Sequence, residues 1–91
     1  MAHISHASHP EVIKRLKRAE GHLRSVVQMM EDGRACLDLA QQLQAIEKAV
    51  AAAKRTLIHD HVDHCLAQAA AGAPEQSRAA LAEFRDITKY L

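Results

Sequence analysis

Aromatic residues are almost missing from this 91-residue chain: Phe84 and Tyr90 stand alone, and there is no tryptophan. With so few aromatics, three glycines and two prolines, the chain lacks the β-rich runs and frequent turns that an all-β sandwich or barrel needs. No apolar run reaches the roughly 18 residues of a membrane span. The opening MAHISHASHPEV has neither the basic start nor the apolar core of a secretory signal. Two cysteines show no staple pattern, so we expect a cytoplasmic chain whose thiols stay reduced. The length allows one small domain with little room for a concave enzyme pocket. Paired carboxylates, a nucleophile–base–orienter set and a phosphate-binding glycine loop are all missing, so an enzyme is not expected.

What is present reads as helix. Apolar residues make up 48% of the chain, and alanine, leucine, glutamine, glutamate and lysine dominate. Val12, Leu16, Ala19, Leu23, Val26 and Met30 alternate spacings of four and three, a heptad-like seam. His9-Pro10 starts this helix and Asp32-Gly33 stops it. Leu39, Leu43, Ile46, Val50, Ala53 and Leu57 repeat the rhythm, and nothing breaks it before Gly72-Ala73-Pro74. Residues 35–71 then form a rod of roughly 50–55 Å, too long to bury its faces on one short neighbour. It should pair with the same helix of another copy. A shorter third helix from about Glu75 places Ala79, Leu81, Ala82, Phe84 and Ile87 on a weaker stripe. Residues 1–9 read as a flexible histidine-containing arm and 10–91 as a single helical domain.

Charge is uneven. Residues 10–24 carry Lys14, Arg15, Lys17, Arg18 and Arg24 against Glu11 and Glu20, a net +3, while 25–74 sum to −2 and 75–91 to zero. A basic stripe of this kind is often no more than a solvated face. Repeated in an oligomer, with Lys54 and Arg55 added, it becomes a surface for double-stranded DNA, since phosphate neutralisation drives non-specific affinity. The lack of aromatics disfavours single strands.

Seven histidines are many for this length. His59, His61, His64 and Cys65 sit near the end of the long helix, with His61 and Cys65 about 40° apart and His64 about 60° to the side. Imidazole and thiolate suit nickel, cobalt, copper and zinc rather than calcium or magnesium. Cys36 opens the same helix, roughly 38 Å from His61 along a straight rod. It is either a small packed residue or, across an antiparallel pair of subunits, a third donor. His3, His6 and His9 lie either on a solvated tail or, with the amine left after Met1 removal, on a chelating arm. The histidines alone would also suit a metal-storage bundle, which leaves the K-R-L-K-R stripe without a purpose.

Together these residues resemble the CsoR/RcnR family, small all-helical bacterial repressors that sense metals or formaldehyde. The resemblance spans nearly the whole chain. It runs through R-L-K-R-A-E-G-H-L-R at 15–24, the single cysteine after Gly33, A-Q-Q-L-Q-A-I-E-K-A at 40–49 and the H-x-x-x-C of 61–65. S-H-P-E-V-I-K-R-L-K-R-A-E-G-H-L-R-S-V, D-H-V-D-H-C-L and F-R-D-I-T-K-Y-L are most similar to the nickel/cobalt-responsive DmeR/NreA-like branch. The resemblance implies an all-α three-helix protomer forming an antiparallel bundle dimer and a disc-shaped homotetramer, a dimer of dimers. It implies operator DNA bound without metal and released with it. The metal positions map onto Cys36 of one subunit and His61 and Cys65 of its partner, with His3 and His64 as further nitrogen donors. The DNA contacts map onto Lys14, Arg15, Lys17, Arg18, Lys54 and Arg55, with Arg24 beside them.

One departure bears on the metal. Sensors of the RcnR type have histidine where this chain has Cys65, and a Cys36-His61-Cys65 set is also the pattern of copper(I) sensors. His3, the amine and His64 instead suit a divalent ion, and the branch resemblance points to nickel or cobalt. A formaldehyde sensor would use Cys36 and the N-terminal amine, with Ala2 standing where such sensors typically have proline.

Overall fold

A computed structural model describes residues 7–91. They form α1 (His9–Glu31), α2 (Cys36–Ala71) and α3 (Pro74–Ile87), followed by a single 3₁₀ turn at Thr88–Tyr90. Strands are absent among the described residues, and none of the helices is long and apolar enough to cross a membrane. The element boundaries follow the punctuation of the sequence. Pro10 falls in the first turn of α1, where its missing N–H costs nothing. Gly33 ends α1 at φ +77°. Its N–H bonds the Met30 carbonyl at 3.1 Å and the Arg34 N–H bonds that of Met29 at 3.0 Å. These two bonds close a Schellman motif. Arg34 then pairs with Asp38 at 2.8 Å in the first turn of α2.

Gly72 ends α2 for a steric reason. A Cβ there would lie 2.8 Å from the Gln68 carbonyl oxygen and 2.9 Å from Gln76 Oε1. Pro74 starts α3, and the Gln76 side chain reaches back to accept the Ala73 N–H at 3.2 Å.

The chain divides into two compact units. In Pro10–Lys54, α1 packs antiparallel on the first half of α2. Val26 meets Leu39 and Ile46, with Met29 against them, and the His22 imidazole bonds Gln42 at 2.6 Å. The seam expected from periodicity is here, but it is split. Val12, Ala19 and Val26 are buried on α1, and Leu39, Ile46 and Ala53 on α2. The interleaved Leu16, Leu23 and Met30, with Leu43 and Val50, stay 42–59% exposed. Every second seam residue therefore faces out of the hairpin.

The other unit holds Arg55–Leu91 with the described residues up to His9. Here α3 returns antiparallel along the end of α2, its Ser77 hydroxyl donating to the Ala69 carbonyl at 2.9 Å. Ile58, Cys65 and Ala80 are buried. The inward face of α3 is Ser77, Ala80, Phe84 and Ile87, while Ala79, Leu81 and Ala82 are exposed. The expected stripe is therefore corrected by part of a turn. Three alanines within 79–82 give no hydrophobic contrast, and the Ser77 hydrogen bond sets the face instead.

Gly33→Ala places a side chain in open space but in the left-handed region. It should destabilise by about 1–2 kcal/mol, the conformational cost alone. Gly21→Ala, also with open space but inside α1, should stabilise by up to about 1 kcal/mol. Urea unfolding of both at one fixed protein concentration checks the opposite signs.

Candidate functional site

His61 and Cys65 lie one helical turn apart on α2, and the return of α3 brings Glu83 to them. Donor atoms of these three residues all fall within 4.8 Å of one another, the metal-capable group among the described residues. His61 Nε2 stands 3.6 Å from Glu83 Oε2, and the Cys65 thiol donates to the same oxygen at 3.8 Å. Burial grades across the cluster: Cys65 is 2% exposed, His61 is half-buried and Glu83 faces solvent. Burial pushes the Cys65 thiol above its ordinary pKa. The Glu83 charge and the hydrogen bond from thiol to carboxylate add to that rise. The resting site thus stores a protonated sulfur beside an imidazole and a carboxylate. Once that proton leaves, the donors are one thiolate, one nitrogen and one oxygen, a set suited to first-row transition ions. Next to the cluster, the Ser8 hydroxyl donates to Asp60 Oδ2 at 2.7 Å, tying the segment before α1 to the residue preceding His61.

Of the sequence candidates, His61 and Cys65 come together. His64 is half-buried one residue before Cys65 and is not in the three-donor group. Cys36 is exposed as the first residue of α2 and is not in it either. His3, the N-terminal amine and His6 lie outside the described residues. Glu83 was not among the sequence candidates. The turn at Gly72-Pro74 implies that α3 folds back, but not which of its acids arrives beside Cys65.

The basic candidates are all exposed: Lys14, Arg15, Lys17, Arg18 and Arg24 on α1, and Lys54 and Arg55 on α2. Two of them carry intrahelical partners, Arg15 with Glu11 at 3.2 Å and Arg24 with Glu20 at 3.9 Å. Such exposed pairs hold about 0.3–0.5 kcal/mol each, so both arginines are readily recruited by a stronger anion.

Comparison with known proteins places these features. The family model described as metal-sensitive transcriptional repressor matches residues 8–90. A copper-sensing transcriptional repressor CsoR of Bacillus subtilis is 35% identical over 96% of this chain and 84% of its own length. Its namesake in Mycobacterium ulcerans is 33% identical over 86% of this chain. The chain spans 65% of that relative's length. Among solved structures, the nickel-responsive transcriptional regulator InrS superposes with a TM-score of 0.80 at 29% identity, covering 98% of both chains.

Glu83→Ala removes two of the three causes that hold the Cys65 proton, the carboxylate charge and the hydrogen bond it accepts. In a Cys36→Ser background, the absorbance rise of the thiolate near 240 nm should therefore move to lower pH. An unchanged titration would mean that burial alone sets the value.

Proposed function

Because the chain belongs to the family of metal-sensitive transcriptional repressors, we propose that it binds operator DNA metal-free and leaves that DNA when nickel or cobalt binds. The observation that carries the metal preference is Glu83. A carboxylate oxygen within 4.8 Å of the His61 and Cys65 donor atoms adds a hard donor, which suits a divalent ion better than copper(I). The likeness to nickel-responsive InrS over the full chain supports the same choice. His61 and Cys65 hold the ion from one subunit and Cys36 from another, with His64, His3 and the N-terminal amine as additional nitrogen donors. The exposed halves of both seams are the surface on which the second subunit docks, giving a dimer and then a dimer of dimers. Lys14, Arg15, Lys17, Arg18, Arg24, Lys54 and Arg55 meet the phosphates of double-stranded operator DNA. The site of action is the cytoplasm.

Switching on this reading is a coupling free energy. Drawing Cys36 of one copy to His61 and Cys65 of another changes how the basic faces are presented. About 1–3 kcal/mol per site is typical, and DNA must weaken metal affinity by the same factor. Cys65 must also give up its proton. Its pKa is raised, so protons compete with metal throughout the neutral range, and apparent affinity should climb with pH until the thiol is ionised.

A second reading, copper(I) sensing, is favoured by the copper-sensing relatives and uses Cys36, His61 and Cys65 without Glu83. An anaerobic optical titration of reduced protein with cobalt(II), nickel(II) and copper(I) separates the two. Weak d–d bands with thiolate charge transfer that falls in both Cys36→Ser and Cys65→Ser support the divalent site. In that case Glu83→Gln should weaken nickel binding by about 10–100-fold, the range seen when groups around a metal ligand are removed. Intense ultraviolet thiolate bands with copper(I), tighter than any divalent binding and indifferent to Glu83→Gln and His3→Ala, would make copper the signal.

A further inference from the structure

An open groove of about 340 Å³ lies along α1 in the Pro10–Lys54 unit. Arg15, Arg18 and His22 line it from α1, with Glu11 one turn earlier, and Ala49 and Ala52 line it from α2. The spacings of four, three and four put the α1 residues on one helical stripe. His22 is held in place, its Nε2–H donating to Gln42 Oε1 at 2.6 Å. Glu11 Oε1 accepts from Arg15 Nε at 3.2 Å, with both side chains about half exposed. Arg18 has no carboxylate partner among the described residues. One cavity thus gathers two guanidinium groups beside small residues, with a carboxylate of the same helix sitting on one of them.

We infer that this groove is a seat for a phosphate-class oxyanion, bound by Arg18 and Arg15, with the Glu11 carboxylate as its built-in competitor. A guanidinium fork matches the oxygens of a phosphate as it does those of a carboxylate. The alanines leave room for a tetrahedral group. An exposed i,i+4 pair is weak enough to be displaced. Glu11 holds Arg15 in the absence of a ligand and releases it when an oxyanion enters. The phosphate comes from either a DNA backbone or a free anion. The first source rests on the DNA-binding reading above, and the second does not. The seat also makes the basic stripe uneven, because Lys17 lies on the same helix but does not line the groove.

The test uses full-length metal-free protein and a random-sequence duplex of about 30 base pairs, read by fluorescence anisotropy across a salt series. Non-specific binding isolates the phosphate contribution. Glu11→Gln should tighten binding by about threefold or more, whereas Asp38→Asn, which frees Arg34 outside the groove, should not. Arg18→Ala should flatten the plot of log affinity against log salt by about 0.9 for each seat engaged, and Lys48→Ala, exposed on α2 outside the groove, by less. Equal gains from Glu11→Gln and Asp38→Asn, or equal slopes for Arg18→Ala and Lys48→Ala, would overturn the seat in favour of a diffuse charged face. Calorimetric titration with inorganic phosphate addresses the source. Binding of phosphate that is lost in Arg18→Ala, in a protein that ignores duplex, would sink the DNA reading and keep the seat. Binding of neither would sink the seat.

Discussion

Each of the first two helices carries one apolar seam, and the chain by itself covers alternate residues of it. The buried set, Val12, Ala19 and Val26 against Leu39, Ile46 and Ala53, repeats every seven residues. That spacing lets two antiparallel helices stay in contact along the hairpin. It is also a thin core, because two of the six are alanines. The larger members, Leu16, Leu23, Met30 and Leu43, are about half exposed. Full burial of such side chains is worth about 1.5–3 kcal/mol each, so much of the stabilisation written into the seams is not realised within one copy. A chain built this way is biased toward association before any ligand is considered.

The metal-capable cluster rests on a second packing decision, the return of α3 after Gly72. Clearance there is tight enough that a Cβ would meet the Gln68 carbonyl. The turn therefore fixes where α3 runs, and hence where Glu83 arrives. Glu83 does two things at once. It raises the energy of the Cys65 thiolate, keeping the resting sulfur protonated and unreactive toward oxidants. It also supplies an oxygen near the positions a divalent ion would take. In the proposed reading, the acid that guards the thiol at rest becomes a donor when metal competes for it.

Helix boundaries were legible in the sequence because Gly33 and Gly72-Pro74 are physical stops rather than statistical ones: the first adopts a positive φ and the second tolerates no Cβ. The seams were legible from their period. Which half of each seam is buried was not, since both halves are apolar and on α1 the half with the larger side chains is the one left exposed. The α3 face was misplaced because Ala79, Ala80 and Ala82 look alike to a hydrophobicity pattern, while the deciding contact is the Ser77 hydroxyl on the Ala69 carbonyl. At the site, His61 and Cys65 announced themselves by residue type and spacing. Glu83 did not, because Glu75, Glu83 and Asp86 all lie on the same helix, and the packing of α3 selects among them.

Three donors do not complete a coordination shell. A closed structural site takes four, and a nickel or cobalt site rich in nitrogen takes more. Within the described residues of one chain, His61, Cys65 and Glu83 are what converge, while Cys36 begins the same 36-residue helix and is exposed. A continuous α-helix does not fold back on itself, so α2 cannot bring its first residue to its own His61 and Cys65. If Cys36 is to serve as a ligand it must do so for another copy. In the proposed reading, the exposed halves of the seams bring that copy close. Metal binding then reports on subunit geometry directly, because the ligand set is itself an intersubunit contact. On that reading, three donors at the end of α2 and on α3 would control the DNA-binding surface proposed for α1.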